Sequence, residues 1–250
     1  MSELKDLLAV ADRVAAEASA ALIAHRREWG VIAEEQGREV KIDADKRAEE
    51  IILKRLDEAS SFSVISEEAG WVRAAQRGER YVWAVDPLDG SINYLRDYPH
   101  CAVSIGLLDN GRPVLGVVDC FVLGERFTGL VGHGAWLNGK PIHVSDIDGR
   151  DRAILMTGIP SRAFITPQSM DALKENIFRF RKVRMIGSAA CALATVAAGR
   201  AEVYRESGSM IWDVAGGCAL VAAAGGKIAL EGELSSPLEV YASNGAIADD

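Results

Sequence analysis

The chain has 250 residues, of which 49% are hydrophobic, and it carries a formal net charge of −8 at pH 7. This length and composition allow one large domain or two sub-domains with a substantial core, and they exclude a disordered or fibrous protein. The negative charge, without any cluster of Lys and Arg, argues against partners such as nucleic acid or an anionic membrane.

The cysteines and the apolar tracts bear on the compartment. Cys101, Cys120, Cys191 and Cys218 lie in apolar surroundings without Cys-x-x-Cys spacing, which indicates buried reduced thiols and a cytoplasmic protein. The first residues lack a basic region followed by an apolar run, so no secretion signal is predicted. The most apolar tract, residues 214–226, has 13 residues including four glycines and is too short to span a membrane.

The N-terminal region is predicted to contain two helices. Apolar residues recur at intervals of three and four over residues 3 to about 28, which indicates one long amphipathic helix. Residues 31–40 are polar and indicate a mobile loop. A second helix is predicted to run to about Leu56, with Asp45 as its N-cap and Glu49 in its first turn. Capping alone would explain Asp45.

Two short strands are predicted to end in carboxyl residues. Residues 62–65 alternate like a strand, and residues 81–85 form a β-branched and aromatic run typical of a buried strand. The acids that follow are Glu67 and Glu68 after the first strand, and Asp86 and Asp89 after the second. If the strands are neighbours, this negative charge requires a hard cation. Solvated surface turns remain the alternative for both sites.

The segment after the second strand is predicted to be a tight turn that leads into a helix. Pro87 fixes its own φ, and Gly90 can take a conformation closed to other residues. Ser91 and Asn93 are candidates to begin a helix, whose free N–H groups would face the carboxylates. A metal ion and a phosphate could meet there.

The rest of the chain divides at a polar stretch over residues 146–151, which predicts sub-domains of residues 1–148 and 149–250. The first continues as a largely antiparallel sheet: a polar connection over 71–80, strands over 101–108 and 113–120 with a hairpin between them, a strand over 125–130 and a tight turn over 134–140. The second alternates strands and helices: strands over 153–157, 182–185 and 199–204, and helices over 168–178, 189–198 and 214–224.

Three motifs in this order resemble the inositol monophosphatase family, within the lithium-sensitive, magnesium-dependent sugar phosphatases. They are Ser66-Glu67-Glu68, then Asp-Pro-Leu-Asp-Gly-Ser-Ile-Asn-Tyr over residues 86–94, then Trp212-Asp213-Val214-Ala215-Gly216-Gly217. The flanking sequence is similar over nearly the whole chain. The resemblance implies an α-β-α-β-α sandwich of mixed α+β and α/β character, a site between two sub-domains, and a homodimer.

The same resemblance, carried over residue by residue, implies the site. The implied metal ligands are Glu67, Asp86, the main-chain carbonyl of Leu88, Asp89 and Asp213. They would hold two or three Mg²⁺ ions, for which Mn²⁺ can substitute. The implied catalytic residues are Asp45, Ser91 and Glu67, and the implied substrate-binding residues are Asp89, Gly90, Ser91, Gly187, Ser188, Ala189, Glu206 and Asp213. One departure is Ile42, where the family usually has Thr, which leaves the support of Asp45 open.

The expected function is Mg²⁺-dependent hydrolysis of a small polyol or sugar phosphate monoester by a metal-activated water. Inositol 1-phosphate is the leading substrate, since Glu206 suits a neutral polyol better than a second phosphate. Fructose 1,6-bisphosphate, histidinol phosphate and 3′-phosphoadenosine 5′-phosphate are the alternatives. A non-catalytic regulator that binds a phosphometabolite is the alternative from another class.

Overall fold

The computed structural model describes residues 2–36, 39–73, 79–159 and 166–247. The helices are α1 (Ser2–Ala24), α2 (Arg26–Trp29), α3 (Asp43–Ala59), α4 (Ser91–Leu95), α5 (Pro167–Arg179), α6 (Ala189–Ala197) and α7 (Ile211–Ala223). The strands are β1 (Ile32–Gln36), β2 (Glu39–Ile42), β3 (Ser63–Ser66), β4 (Gly70–Val72), β5 (Tyr81–Asp89), β6 (Ala102–Asp109), β7 (Arg112–Cys120), β8 (Glu125–Leu130), β9 (Gly134–Leu137), β10 (Lys140–Ile142), β11 (Ile154–Met156), β12 (Lys182–Arg184), β13 (Val203–Ser209), β14 (Lys227–Glu231) and β15 (Leu238–Ser243).

These elements stack in five layers. Helices α1 and α3 cover one face of an eight-stranded sheet through an apolar core that includes the buried ring of Trp83. Helices α6 and α7 fill the space between the other face of this sheet and a five-stranded sheet. Helix α5 contacts β12, the edge strand of the second sheet. The predicted α-β-α-β-α order is therefore confirmed.

The strand order of the larger sheet is β10-β9-β8-β7-β6-β5-β3-β4. Strands β3 and β5 are parallel neighbours, with Ser66 opposite Val85, and the other pairs in this sheet are antiparallel. The carboxyl ends of two parallel neighbours lie at the same edge of a sheet. The acids after β3 and the acids after β5 therefore lie close together. This fulfils the condition on which the sequence predicted a cation site, namely that the two strands are neighbours.

Helix α7 lies unusually close to the larger sheet. A Cβ atom built on Gly116 of β7 would lie 2.1 Å from the carbonyl oxygen of Gly216, and one on Gly106 of β6 would lie 2.8 Å from the Cβ of Ala215. Only glycine permits this approach of backbone to backbone. The close contact sets the position of α7 and brings its first turn to the edge that carries the acids.

The N-terminal predictions need three corrections. The long helix is interrupted at His25, so that α1 ends at Ala24 and a short α2 follows. The predicted loop over residues 31–40 is wrong, because β1 and β2 pair as an antiparallel ribbon. Charged side chains lie on the exposed faces of this ribbon, so its sequence lacks the alternation of apolar and polar residues that predicts a strand.

The third correction concerns α3, which begins at Asp43 and has Ile42 as its N-cap. Asp45 is thus not the N-cap but the third residue of the helix. Its carboxylate accepts a hydrogen bond from the Ile42 N–H at 3.0 Å. Glu49 lies a full turn further on, outside the first turn, and is buried. The predicted helix starts about one turn too late, so Asp45 and Glu49 lie about one turn further into α3 than the sequence indicated.

Several other predictions can be compared with the described residues. The hairpin between β6 and β7 and the strand β8 are confirmed. The tight turn over 134–140 is flanked by two further strands, β9 and β10. Strand β4 (Gly70–Val72) overlaps the start of the polar connection 71–80, of which residues 74–78 fall outside the described residues. Strands β14 and β15, near the C-terminus, were not predicted.

The remaining predictions concern the cysteines, the membrane and the boundary. All four cysteines are free and buried, as predicted. Over the described residues, no helix combines the length and apolarity needed to cross a bilayer. The strands β10 and β11, on either side of residues 146–151, belong to different sheets. The sub-domain boundary itself stays a prediction.

Candidate functional site

A cavity of about 540 Å³ opens where β3 and β5 end and where the first turn of α7 approaches them. Residues on both sides of the predicted boundary line it. Seven carboxyl side chains face it: Asp45, Glu67, Glu68, Asp86, Asp89, Glu206 and Asp213. The other predicted site residues also line it, namely Leu88, Gly90, Ser91, Gly187, Ser188 and Ala189. The structure therefore brings every predicted site residue to one place.

Residues 86–91, the β5 turn, hold their shape through local hydrogen bonds. The Leu88 N–H donates to Asp86 Oδ1 at 3.0 Å, and the pairing of β5 with β6 shifts register between Asp86 and Asp89. Gly90 has φ of +85°, and a Cβ there would lie 2.8 Å from the carbonyl oxygen of His100. The turn therefore requires glycine at this position, both for its backbone conformation and for space.

Ser91 links the β5 turn to helix α3. Its hydroxyl lies 2.8 Å from Asp45 Oδ1 and 3.0 Å from the carbonyl oxygen of Leu88. A hydroxyl has one proton to donate, so these two acceptors compete for it. The second oxygen of Asp45 accepts from the Ile42 backbone, and Asp45 is only 2% exposed. The main chain thus supports Asp45 although Ile42 has no hydroxyl.

Asp89 joins the β5 turn to the start of α6, in the helix layer between the two sheets. Its Oδ2 accepts a hydrogen bond from the Ser188 hydroxyl at 2.5 Å and another from the Ala190 N–H at 2.7 Å. The carboxylate therefore lies at the positive end of α6, whose first residues are Ala189 and Ala190. Asp213 has a similar arrangement in the first turn of α7, since its Oδ2 accepts from the Met210 N–H at 2.7 Å.

Residues 66–69, the β3 end, are held by a side chain from α3. The buried Glu49 accepts from the Ser66 hydroxyl, from the Glu68 N–H at 3.2 Å and from the Ala69 N–H at 3.1 Å. The Glu67 N–H donates to the carbonyl oxygen of Val85 on β5 at 3.3 Å. Three donors on one carboxylate fix the backbone on which Glu67 and Glu68 stand.

Burial and mutual repulsion raise the pKa of several acids in the cavity. Burial, and next the charge of Asp213, raise the pKa of Glu67 well above its ordinary range. Burial, and next the charge of Glu67, do the same to the pKa of Asp86. Burial raises the pKa of Asp45 to about 7 and that of Asp89 to about 6. The cluster therefore favours protons or cations over bare negative charge.

The donor set suits a hard cation, but the acids are not gathered around one. Across the parts of the chain that the structure describes, no three His, Cys, Asp or Glu side chains form an arrangement that could hold an ion as they stand. Asp86 and Asp213 instead accept hydrogen bonds from the backbone N–H groups of Leu88 and Met210. Carboxylate oxygens with a buried carbonyl are the ligands that Mg²⁺ prefers, so the residue types fit this ion.

Glu206 lies on β13, away from the acids of the first sheet. Its Oε2 accepts a hydrogen bond from the Tyr204 hydroxyl at 2.9 Å. Burial raises its pKa to about 7. Glu206 therefore presents a fixed hydrogen-bonding carboxyl to whatever part of a ligand extends from the acid cluster toward the second sheet.

Comparison with known proteins agrees with this architecture. The model of the inositol monophosphatase family matches residues 3–248. The chain belongs to the inositol monophosphatase family. Family membership supports a phosphatase activity in general terms, without identifying the substrate.

Individual relatives include both enzymes of this family and a protein with another name. The chain is 37% identical over 193 residues to an inositol monophosphatase of Mesembryanthemum crystallinum, covering 74% of this chain and 71% of that protein. It is 40% identical over 191 residues to the Nus factor SuhB of Xylella fastidiosa, covering 74% of this chain and 67% of that protein. The solved inositol monophosphatase from Anabaena (Nostoc) sp. superposes with a TM-score of 0.85 at 34% identity, over 97% of this chain and 92% of that one.

Sequence reasoning missed three residues that shape this inositol monophosphatase fold around its cavity. Glu49 was assigned to a helix end, although it holds the β3 end. Asn93 was assigned to helix and packing, although its amide donates to the carbonyl oxygens of His100 at 2.7 Å and Ile186 at 2.8 Å. Lys41 had no predicted role beyond leading into the second helix, although it lines the cavity. The one available signal in the sequence was the spacing of Glu49, which follows Asp45 by four residues and therefore lies on the same face of the helix.

Proposed function

We propose that this protein is a Mg²⁺-dependent phosphatase that hydrolyses a small polyol or sugar phosphate monoester, with inositol 1-phosphate as its leading substrate. The observation that carries this proposal is the hydrogen bond of 2.8 Å between Ser91 and Asp45 beside four acids in one cavity. A hydroxyl that donates to a carboxylate can orient a water, accept the water's proton and pass its own proton to the carboxylate. The names of the relatives agree with hydrolysis of a phosphate ester.

The proposed division of labour follows the donor atoms. Glu67, Asp86, Asp89, Asp213 and the Leu88 carbonyl would hold two or three Mg²⁺ ions, or Mn²⁺ in their place. When bound, these ions supply positive charge to the phosphate oxygens and make a nearby water more acidic. The four carboxylates fit this role because burial penalises their charge unless a cation is present.

The chain itself provides the proton acceptor and the substrate contacts. Asp45 has a pKa of about 7, which lies near the operating pH that a general base requires. Ser91 holds its hydroxyl between Asp45 and the Leu88 carbonyl, so it can pass a proton toward Asp45. The N–H groups of Gly90 and Ser91 and the segment Gly187-Ser188-Ala189 are proposed to contact the phosphate and the ring.

Glu206 supports the choice of a neutral polyol. A carboxyl group fixed by Tyr204 can accept hydrogen bonds from ring hydroxyls, whereas a second phosphate at that place would meet a like charge. The test is phosphate release from inositol 1-phosphate, fructose 1,6-bisphosphate, histidinol phosphate and 3′-phosphoadenosine 5′-phosphate with Mg²⁺, with and without Li⁺. We expect the highest kcat/KM for inositol 1-phosphate. A preference for the bisphosphate would overturn the assignment of Glu206.

A non-catalytic regulator is the second candidate, because two relatives carry the name Nus factor SuhB. Turnover that requires Mg²⁺ and is lost with a chelator favours the enzyme. Binding of a phosphate ester without any phosphate release, at saturating Mg²⁺, favours the regulator. All the proposed metal ligands are present in the cavity, and a protein without catalysis would not need to maintain such a repulsive cluster.

We also propose that the chain works as a cytoplasmic homodimer. The reduced state of the four buried cysteines supports the compartment. The resemblance to the family supports the pairing. Light scattering during size-exclusion chromatography tests the dimer, for which the expected mass is twice the 26.8 kDa of one chain.

A further inference from the structure

Lys41 lies in the acid cavity as its one cationic side chain among the described residues that line it. It stands on β2, opposite Glu34 of β1, directly before the residue that caps α3. Its ammonium nitrogen is 3.0 Å from Glu68 Oε2. The side chain of Lys41 is 27% exposed and that of Glu68 is 7% exposed. This ion pair is therefore largely removed from water, unlike an ordinary surface pair.

The surroundings of this pair make its charge consequential. Glu68 follows the proposed metal ligand Glu67 directly, and Glu49 holds its backbone N–H. The charge of Glu68 acts on both Glu67 and Asp45. A carboxylate in this position, beside a cavity that binds divalent cations, has two sources of positive charge: a metal ion or the ammonium group of Lys41.

We propose that the ammonium group of Lys41, through its ion pair with Glu68, keeps the Glu68 carboxylate from binding a divalent cation. The number of metal ions that the cavity holds is then one lower than its carboxyl groups alone would allow. The inference rests on the proposed function, because it takes the binding of divalent cations by Glu67, Asp86, Asp89 and Asp213 as given.

The direction of the effect separates this role from a structural one. If Lys41 competes with a metal ion for Glu68, removing its charge frees a carboxylate and removes a repelling cation, so metal binding increases. If Lys41 only orders Glu68 and the β1–β2 ribbon, the same change loosens the site and metal binding decreases. The variant Lys41→Arg keeps the positive charge, so it should bind the same number of metal ions as the wild-type protein.

The experiment is a count of bound Mn²⁺ per chain, from the loss of the free-ion signal in electron paramagnetic resonance, without substrate. The variants are Lys41→Met, Lys41→Arg and the double variant Lys41→Met with Glu68→Gln. Lys54→Met is the matched control, since Lys54 is an exposed lysine on α3 that does not line the cavity. Thermal unfolding of each variant verifies that it is folded.

We expect one additional Mn²⁺ per chain in Lys41→Met, and the wild-type count in Lys41→Arg, in Lys54→Met and in the double variant. A folded Lys41→Met with the wild-type count or a lower one overturns the proposal. An additional ion that persists in the double variant also overturns it, because that ion would not use Glu68. If wild-type protein binds no Mn²⁺ at all, the proposed function itself fails. A normal wild-type count with an unchanged variant refutes this inference alone.

Discussion

The two acid-bearing strand ends are built in different ways. The β5 turn keeps its shape through contacts within a few residues, such as the Leu88 N–H on Asp86 and the Ser91 hydroxyl on the Leu88 carbonyl. The β3 end is held from outside by Glu49 of α3 and Lys41 of β2. Local contacts therefore shape the strand end that carries Asp86 and Asp89, whereas long-range polar contacts shape the strand end that carries Glu67 and Glu68.

This difference has a consequence for tolerance to change. Asp86 bonds within the β5 turn, so its substitution removes a proposed ligand while the contacts of the turn with α3 and α6 remain. Substitutions around the β3 end act through position, so their effect on activity should be accompanied by an effect on stability. Activity and stability measured together can therefore separate the two regions.

The largest effect is expected for Asp86→Asn in the β5 turn. The amide keeps the size and one acceptor oxygen but removes the charge that a cation needs. We expect kcat/KM to fall by about 10³-fold, which corresponds to roughly 4 kcal/mol. The melting temperature of the metal-free variant should stay equal or rise, since a buried and repelled charge is lost. Near-full activity with Mg²⁺ would contradict the ligand assignment.

The next effect concerns the pH dependence of the metal-free protein. Burial raises the pKa of Asp45 and Glu206 to about 7 and that of Asp89 to about 6. Between about pH 4 and pH 7 the folded state therefore holds more protons than the unfolded state, so stability falls as pH rises through this range.

We expect metal-free protein to be less stable at pH 8 than at pH 5 by about 2 kcal/mol, a decrease in melting temperature of roughly 5 °C. Saturating Mg²⁺ should remove most of this difference, because a bound cation compensates the ionised acids. Differential scanning calorimetry at the two pH values, with a chelator and with Mg²⁺, measures it. A melting temperature that rises from pH 5 to pH 8 without metal would be the opposite of this expectation.

A smaller effect is expected at the β3 end for Glu49→Gln. All three donors reach Oε1 of Glu49, and the amide of Gln replaces this carboxylate oxygen by a neutral and weaker acceptor, so Glu67 and Glu68 become less well positioned. We expect kcat/KM to fall about 10-fold to 100-fold, with a loss of about 1–3 kcal/mol in unfolding free energy. Glu50→Gln is the control, since Glu50 is exposed on the same helix. Equal effects in the two variants would refute a positioning role for Glu49.

The smallest effect is expected for Ile42→Thr, which restores the residue common in the family. A threonine at the N-cap gains about 1 kcal/mol by capping. The loss of buried apolar volume at this fully buried position offsets that gain by about 1 kcal/mol. We expect stability within about 1 kcal/mol of wild type and nearly unchanged kcat, because the backbone already supports Asp45. A large rise in kcat would show that this support is incomplete.

Much of the fold was predictable because its elements carry clear local patterns. The β6–β7 hairpin has Asp109-Asn110-Gly111 between two apolar runs, and the buried strand β5 is β-branched and aromatic. The ribbon of β1 and β2 escaped prediction because charged residues interrupt its apolar ones, such as the exposed Glu34 and Glu35 of β1 and Lys41 of β2. The start of α3 was misplaced because Asp45 is a good N-cap by residue type, whereas the actual N-cap is Ile42, whose apolar side chain gives no capping signal.

The sequence by itself determined the residue types of the site and the local shape of the β5 turn, since Pro87, Gly90 and the two aspartates act over a few bonds. It also determined the family, through three motifs in order. Tertiary structure alone decided that Glu49 and Lys41 hold the β3 end. It also decided that Asn93 donates to the backbone of the segment before α6. These contacts join residues far apart in the chain, so no local pattern of apolar spacing or turn chemistry could encode them. They depend on the parallel pairing of β3 with β5 and on the packing of α3 beside them.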